Sequence, residues 1–251
     1  MARKADAFNI DATTINVSPL NDIRQAVSQV CHEVQSAAQR SGRELSQIKL
    51  VAATKFVNAD RVKEALFAGI TICGENRLQE ALEKITLLEG IQNLSWHFIG
   101  RIQKRKIRSL VGQFELIHSV ENVEQAQEIN RRAQEQGILQ AVLLEINVGQ
   151  EESKGGFTDL EVKRILPEID RFTHLQVQGL MAIPPWDPDP EHTRPFFRQL
   201  RQVAEEIREL PLVRVQMKEL SMGMSQDFQV AIEEGATMVR VGSRIFGERP
   251  T

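Results

Sequence analysis

Lys55 lies near the end of an apolar run, Ile48 to Val57 (IKLVAATKFV), with the length and composition of a buried strand. Turn residues follow at Asn58 and Ala59, so the amine lies where that strand runs out. If Lys49, Val51, Ala53 and Lys55 share one face, the side chain beneath the lysine is only a methyl group, which leaves space beside the amine. A lysine held partly out of water has a lowered pKa, and its neutral amine can attack an aldehyde to form a Schiff base. Taken alone, a strand-end lysine is more often a solvated charge on an apolar stem. Two distant segments shift that balance. LSMGMSQD (Leu220 to Asp227) and VRVGSRIFG (Val239 to Gly247) each place glycine and serine just ahead of helical residues. Backbone N–H groups at such turns, with the Ser225 and Ser243 hydroxyls, suit a phosphate dianion. Arg240 alternates with Val239 and Val241, so it points to one side of the last strand; there it could meet a phosphate or a ring nitrogen, or form a structural ion pair.

The elements that must position these groups alternate along the chain. Ile23, Val27, Val30 and Val34 recur at helical spacing between Pro19 and Ser41, which predicts a helix ahead of the first strand. From Lys49 onward strand-like runs (IKLVAAT, ITIC, LSWHFIG, FELIHSV, AVLLEINV, LQVQGLMAI, VQMKELSMG, TMVRVGS) alternate with amphipathic or turn-bounded segments. The reading starts the helix after the second strand at Glu75. Such alternation requires right-handed parallel crossovers. Eight units in a chain of 251 residues predict a single (β/α)8 barrel with an extra N-terminal helix, and a doubly wound open sheet is the runner-up. Residues 1–20 read as a partly ordered extension and 21–251 as one domain. In a barrel the strand C-termini form the functional face. That face would collect Lys55, Gly74 to Asn76, His97 to Arg101, Asn147, Met181 to Pro185 and the two Gly/Ser turns. Asn76 also reads as a helix cap, and His97 as a satisfied core histidine.

Composition excludes several classes. A net charge of −3 and a pI near 6.0 argue against nucleic acid as a partner. The two cysteines, Cys31 and Cys73, form no disulfide framework, so a reducing, cytoplasmic setting is expected. No apolar run approaches the roughly 18 to 20 residues that span a membrane. The basic helix QKRKIR reads as a solvated face or, in a signalling protein, a partner contact.

An amine at one side of a barrel mouth and a phosphate cup at the other is the layout that pyridoxal 5′-phosphate (PLP) requires. The segments LVAATKFV, GENRLQE, WHFIGRIQKRK, GLMAIPP and ELSMGMSQDFQVAIEEGATMVRVGSRIFG are, moreover, similar to those of the pyridoxal phosphate homeostasis proteins. The resemblance runs from Lys49 to Gly247 and implies a monomeric barrel related to the N-terminal domain of alanine racemases. It implies an internal aldimine at Lys55, with phosphate held by Ser225, Gly242 and Ser243. The candidate cofactor-binding residues are Lys55, Asn76, Ser221, Met224, Ser225, Arg240, Gly242 and Ser243, with no catalytic residue and no metal ligand assigned. The implied function is homeostasis of PLP and of amino and keto acids without robust catalysis. PLP, apo forms of PLP enzymes and small amino acids are the implied partners. A racemase would need a tyrosine base and a second domain, yet the sequence has no tyrosine and only four residues follow Gly247. A weak racemase, lyase or transaminase using Lys55 as its base is the alternative, and a cofactor-status signalling protein is a third reading.

Overall fold

Each strand of the chain is short and each return is a helix or helical turn, so neighbouring strands pair in parallel and the sheet closes on itself. The computed structural model describes residues 19–151 and 154–248. Its strands are β1 (Lys49–Ala53), β2 (Ile72–Glu75), β3 (Ser95–Phe98), β4 (Leu116–Val120), β5 (Gln140–Glu145), β6 (Leu175–Met181), β7 (Val215–Met224) and β8 (Met238–Val241). They form a closed barrel in sequence order, with β1 pairing β8. The (β/α)8 expectation therefore holds over the open sheet.

Around the barrel lie α2 (Ala59–Phe67), α3 (Leu78–Leu87), the single turn α4 (Ile107–Leu110), α5 (Val123–Gln136), α6 (Asp159–Ile169), α7 (Arg194–Arg208), α8 (Phe228–Glu233) and the short α9 (Ser243–Phe246). Local chemistry sets several of their ends. The Asn58 side chain accepts from the Arg61 N–H, and Thr158 and Glu161 form a capping box. The extra helix, α1 (Pro19–Arg40), packs beside α8 and α9 and is tied there by Arg40–Glu233 and Arg244–Glu33 ion pairs. The predicted extension falls outside the described residues as far as residue 18. No described helix is long and apolar enough to cross a membrane.

Two apolar clusters result. One fills the space between sheet and helices. The other, Val51, Leu116, Leu143, Met181 and Met238, fills the barrel interior. One boundary differs from expectation. β2 ends at Glu75 and α3 begins only at Leu78, whereas the sequence reading began the helix at Glu75. Glu75 is fully buried, and its carboxylate is matched by Lys84 of α3 at 2.7 Å. A charged residue after an apolar run looks like a helix start until its partner, nine residues on, is brought against it.

Candidate functional site at the C-terminal mouth of the barrel

Lys55 sits in a tight turn just beyond β1, half-buried. Its neighbours on both sides are held. The Thr54 hydroxyl donates to Glu75 Oε1 at 2.6 Å, and Lys84 Nζ donates to the Thr54 carbonyl at 2.6 Å. Val57 N–H closes the turn onto the same carbonyl at 3.0 Å. On the other side, Phe56 has φ +63°, a left-handed conformation costly for a residue with a side chain. Its N–H donates to Glu80 Oε2 at 3.2 Å, and the Arg77 guanidinium lies 4.3 Å from its ring centre. The lysine therefore projects from a fixed backbone, as a group that must meet an aldehyde repeatedly needs to.

The two Gly/Ser turns come together beside this turn. β1 and β8 pair Val51 with Arg240 and Ala52 with Val241, so the next positions, Ala53 and Gly242, are also adjacent. A Cβ on Gly242 would sit 3.2 Å from the Ala53 carbonyl oxygen, tight enough to favour glycine there. Gly242 N–H donates to the Ser225 hydroxyl at 3.1 Å, which joins the β7 turn to the β8 turn. The β7 turn is itself braced by Met224 N–H, which donates to Asp227 Oδ1 at 2.6 Å. Ser243 is exposed, and neither its N–H nor that of Arg244 has a partner among the described residues. Lys55, Met224, Ser225, Gly242 and Ser243 thus gather around one edge of the mouth.

Arg240 lies beneath them, buried, with Nη1 donating to the Ser221 hydroxyl and carbonyl and Nη2 to the Ala182 carbonyl. Burial lowers its pKa to about 10 and the nearby Glu145 and Asp227 carboxylates oppose that fall, so it remains a cation at neutral pH. Ser221 is fully buried below Arg240, so it reaches the mouth through the arginine. Asn76 follows β2. It does not cap α3, whose N-cap is Arg77; its Nδ2 makes one long bond of 3.5 Å to the Ile99 carbonyl, and its Oδ1 is buried without a partner. An unmatched acceptor at a mouth is an open position for a ligand donor. His97 is buried within β3, and Asn147 is engaged with the β5 loop through Glu151 and Lys154.

The sequence reading missed Glu145. Leu143 points into the barrel, so Glu145, two residues later at the end of β5, shares that face. Burial and the Glu121 carboxylate push its pKa up to about 7, against the pull of Arg240, Arg101 and Lys154. The missed signal was a lone charged residue in the mostly apolar AVLLEINV. The donor set of the mouth fits an aldehyde-bearing phosphate ester: an amine on a rigid turn, hydroxyls with unpaired backbone N–H groups, and a buried cation beneath them.

Comparison with known proteins agrees with this geometry. Residues 26–250 match the family model described as "Alanine racemase, N-terminal domain". The chain is 43% identical over 225 residues to a pyridoxal phosphate homeostasis protein of Aquifex aeolicus, covering 90% of this chain and 97% of that one. It is 35% identical to the protein of the same name from Escherichia coli K12, covering 92% and 98% of the two chains. Among solved structures, PipY of Synechococcus elongatus PCC7942 with PLP bound superposes with a TM-score of 0.78 at 32% identity, over 90% of this chain and all of that one (100%). Alanine racemase of Clostridium difficile 630 shares the fold alone, with a TM-score of 0.68 at 17% identity over 92% of this chain and 58% of that chain. With 43% identity over 90% of this chain and a family model matched over residues 26–250, the chain belongs to the pyridoxal phosphate homeostasis protein family.

Proposed function

We propose that this chain binds pyridoxal 5′-phosphate at the C-terminal mouth of its barrel and serves PLP homeostasis by holding and releasing the cofactor. The observation that carries the site assignment is the β1–β8–β7 register, which sets the Lys55 turn against Gly242 and joins Gly242 to Ser225. When bound, PLP supplies an aldehyde able to form a Schiff base with an amine, and a phosphate dianion. Lys55 is the residue for the first. Ser225, Gly242 and Ser243, with the Arg244 N–H, are the residues for the second. Arg240 is the buried cation that would face the cofactor from below these residues, Met224 braces the cup, and Asn76 offers an acceptor at the rim. Ser221 belongs to the site through its bonds to Arg240. The relatives bear the name of a homeostasis protein and not of an enzyme. Apo enzymes that need PLP are the proposed recipients, and a monomer is the proposed state.

The test is direct. Purified protein incubated with PLP should turn yellow, and borohydride should fix the cofactor mass on Lys55. Label on another lysine, or no colour with excess PLP, would end the assignment. Lys55→Ala should lose the absorbance and keep the fold.

One observation favours a second reading, a weak proton-transfer activity. The Glu145 carboxyl, with a pKa raised to about 7, stands at the same mouth as Lys55, so the amine is not the mouth's only acid–base group. Turnover of amino acids lost in Glu145→Gln would establish that reading.

A further inference from the structure

Four buried side chains, distant in sequence, form one hydrogen-bonded line through the barrel. Arg240 Nη1 donates to the Ser221 hydroxyl at 2.5 Å. The Ser221 hydroxyl lies 2.9 Å from His118 Nδ1, and His118 Nε2 lies 2.9 Å from His97 Nδ1. His97 ends the line at a small cavity of about 90 Å³ at the N-terminal mouth, which Lys49, Ser95, Glu115 and Gln178 also line.

Satisfying every buried donor gives this line a direction. A guanidinium only donates, so the Ser221 oxygen accepts from Arg240. The Ser221 proton then has one acceptor among the described residues, His118 Nδ1. Burial holds the His97 pKa down to about 4 and that of His118 well below its usual value, so each ring is neutral at pH 7 and carries one proton. With Nδ1 accepting, His118 bears its proton on Nε2 and donates to His97 Nδ1. His97 in turn bears its proton on Nε2, toward the cavity. The reverse assignment would leave the fully buried Ser221 hydroxyl proton without an acceptor, the costly outcome for a buried polar group. Because Arg240 cannot accept, the line cannot run backwards.

We propose that Ser221, His118 and His97 are positioning residues that fix the donor direction of Arg240, and that the N-terminal mouth of the barrel is thereby coupled to the cofactor site. The coupling rests on the assignment of Arg240 to that site. The Arg240 bonds to Ser221 and to the Ala182 carbonyl hold the guanidinium from below and leave its other N–H groups without a partner among the described residues. A change at His97 therefore reaches the mouth as a change in how firmly Arg240 is held.

The first arm of the test needs no cofactor. In the full chain labelled with ¹⁵N-histidine at pH 7, NMR should find both His97 and His118 as the Nε2–H tautomer. An Nδ1–H tautomer at either ring would overturn the proposal. The second arm uses PLP-loaded protein with His97→Leu, which removes the acceptor for His118, and His97→Gln, which restores one through its carboxamide oxygen. The Leu variant, folded by circular dichroism, should shift the absorbance maximum of bound PLP and weaken its Kd by about threefold or more; the Gln variant should match the unaltered protein. A folded Leu variant with unchanged absorbance and Kd would overturn the coupling. Should that variant fail to fold, Ser221→Ala, which removes the hydroxyl acceptor that joins Arg240 to the histidines, is read in the same way, with the same two outcomes. Should the unaltered protein bind no PLP, the cofactor reading falls and the coupling with it, whereas the tautomer result stands by itself.

Discussion

Lys84 Nζ donates to the carbonyl oxygen of Thr54, the residue immediately before Lys55, at a distance of 2.6 Å. The same ammonium pairs with Glu75 Oε1 at 2.7 Å, with both side chains buried. A second lysine thus anchors the turn that presents the first. Because Glu75 Oε2 already lacks a partner, removing the ammonium would leave a carboxylate buried with only the Thr54 hydroxyl against it. Lys84→Met should destabilise the fold by about 3–5 kcal/mol, the usual cost of breaking a buried pair from one side. The double variant with Glu75→Gln should recover part of that loss. Urea unfolding measures both, and a single variant within about 1 kcal/mol of the unaltered protein would contradict the account.

Glu145 makes a different prediction, in which pH sets the sign. Its folded pKa is raised from 4.5 to about 7, so the folded state holds the proton more tightly than the unfolded chain. Between these values the unfolded chain ionises first, and stability from this group falls as pH rises. Glu145→Gln cannot ionise. It should match the unaltered protein near pH 4.5 and exceed it above pH 7, by on the order of 3 kcal/mol for a shift of this size. Taking the difference between the two proteins at each pH cancels the titration of the other groups, and Arg240, Arg101, Lys154 and Glu121, which face this carboxyl, are present in both. Parallel stability curves for the two proteins would show that Glu145 titrates normally.

What the sequence revealed and what it hid have a common physical cause. Strand and helix alternation is local, so the barrel could be read from residues a few positions apart. The placement of Lys55, Ser225, Gly242 and Ser243 at one end of the barrel was legible because each stands just past a strand end, and a barrel puts strand ends together. Glu75 was misplaced because its neutralising partner belongs to the next helix. Glu145 showed only as a lone carboxylate in a strand-like run, and its environment, like those of His118 and Ser221, depends on neighbours supplied by barrel closure. Nothing in HSVEN or EINVG points from one to the other, or to Arg240.

The proposed phosphate cup predicts how affinity is divided. A dianion gains charge-assisted bonds from several fixed donors, whereas a Schiff base exchanges with other amines. Ser225→Ala should weaken PLP binding by about 10- to 100-fold, the loss of one hydrogen bond to a charged group. Pyridoxal without its phosphate should bind far more weakly still. Equal Kd values for pyridoxal and PLP, by absorbance titration, would move the cup elsewhere.

Whether the loaded protein turns over amino acids separates the two functional readings. Controlled proton transfer at an amino-acid Cα needs a base on the correct face and exclusion of water. At this mouth the acid–base groups among the described residues include Lys55, Glu145 and Asp227, and the chain contains no tyrosine. With the Lys55 turn only half-buried and Ser243 exposed, water reaches the site, which favours exchange of the cofactor over controlled chemistry. The loaded protein, incubated with each common amino acid in both configurations in deuterated water, should therefore show slow α-proton exchange at most, with no sustained racemisation or keto-acid release. It should also restore activity to an apo enzyme that needs PLP. Sustained turnover near about 1 s⁻¹, the lower part of the usual enzyme range, lost in both Lys55→Ala and Glu145→Gln, would make the protein an enzyme and the carrier reading wrong.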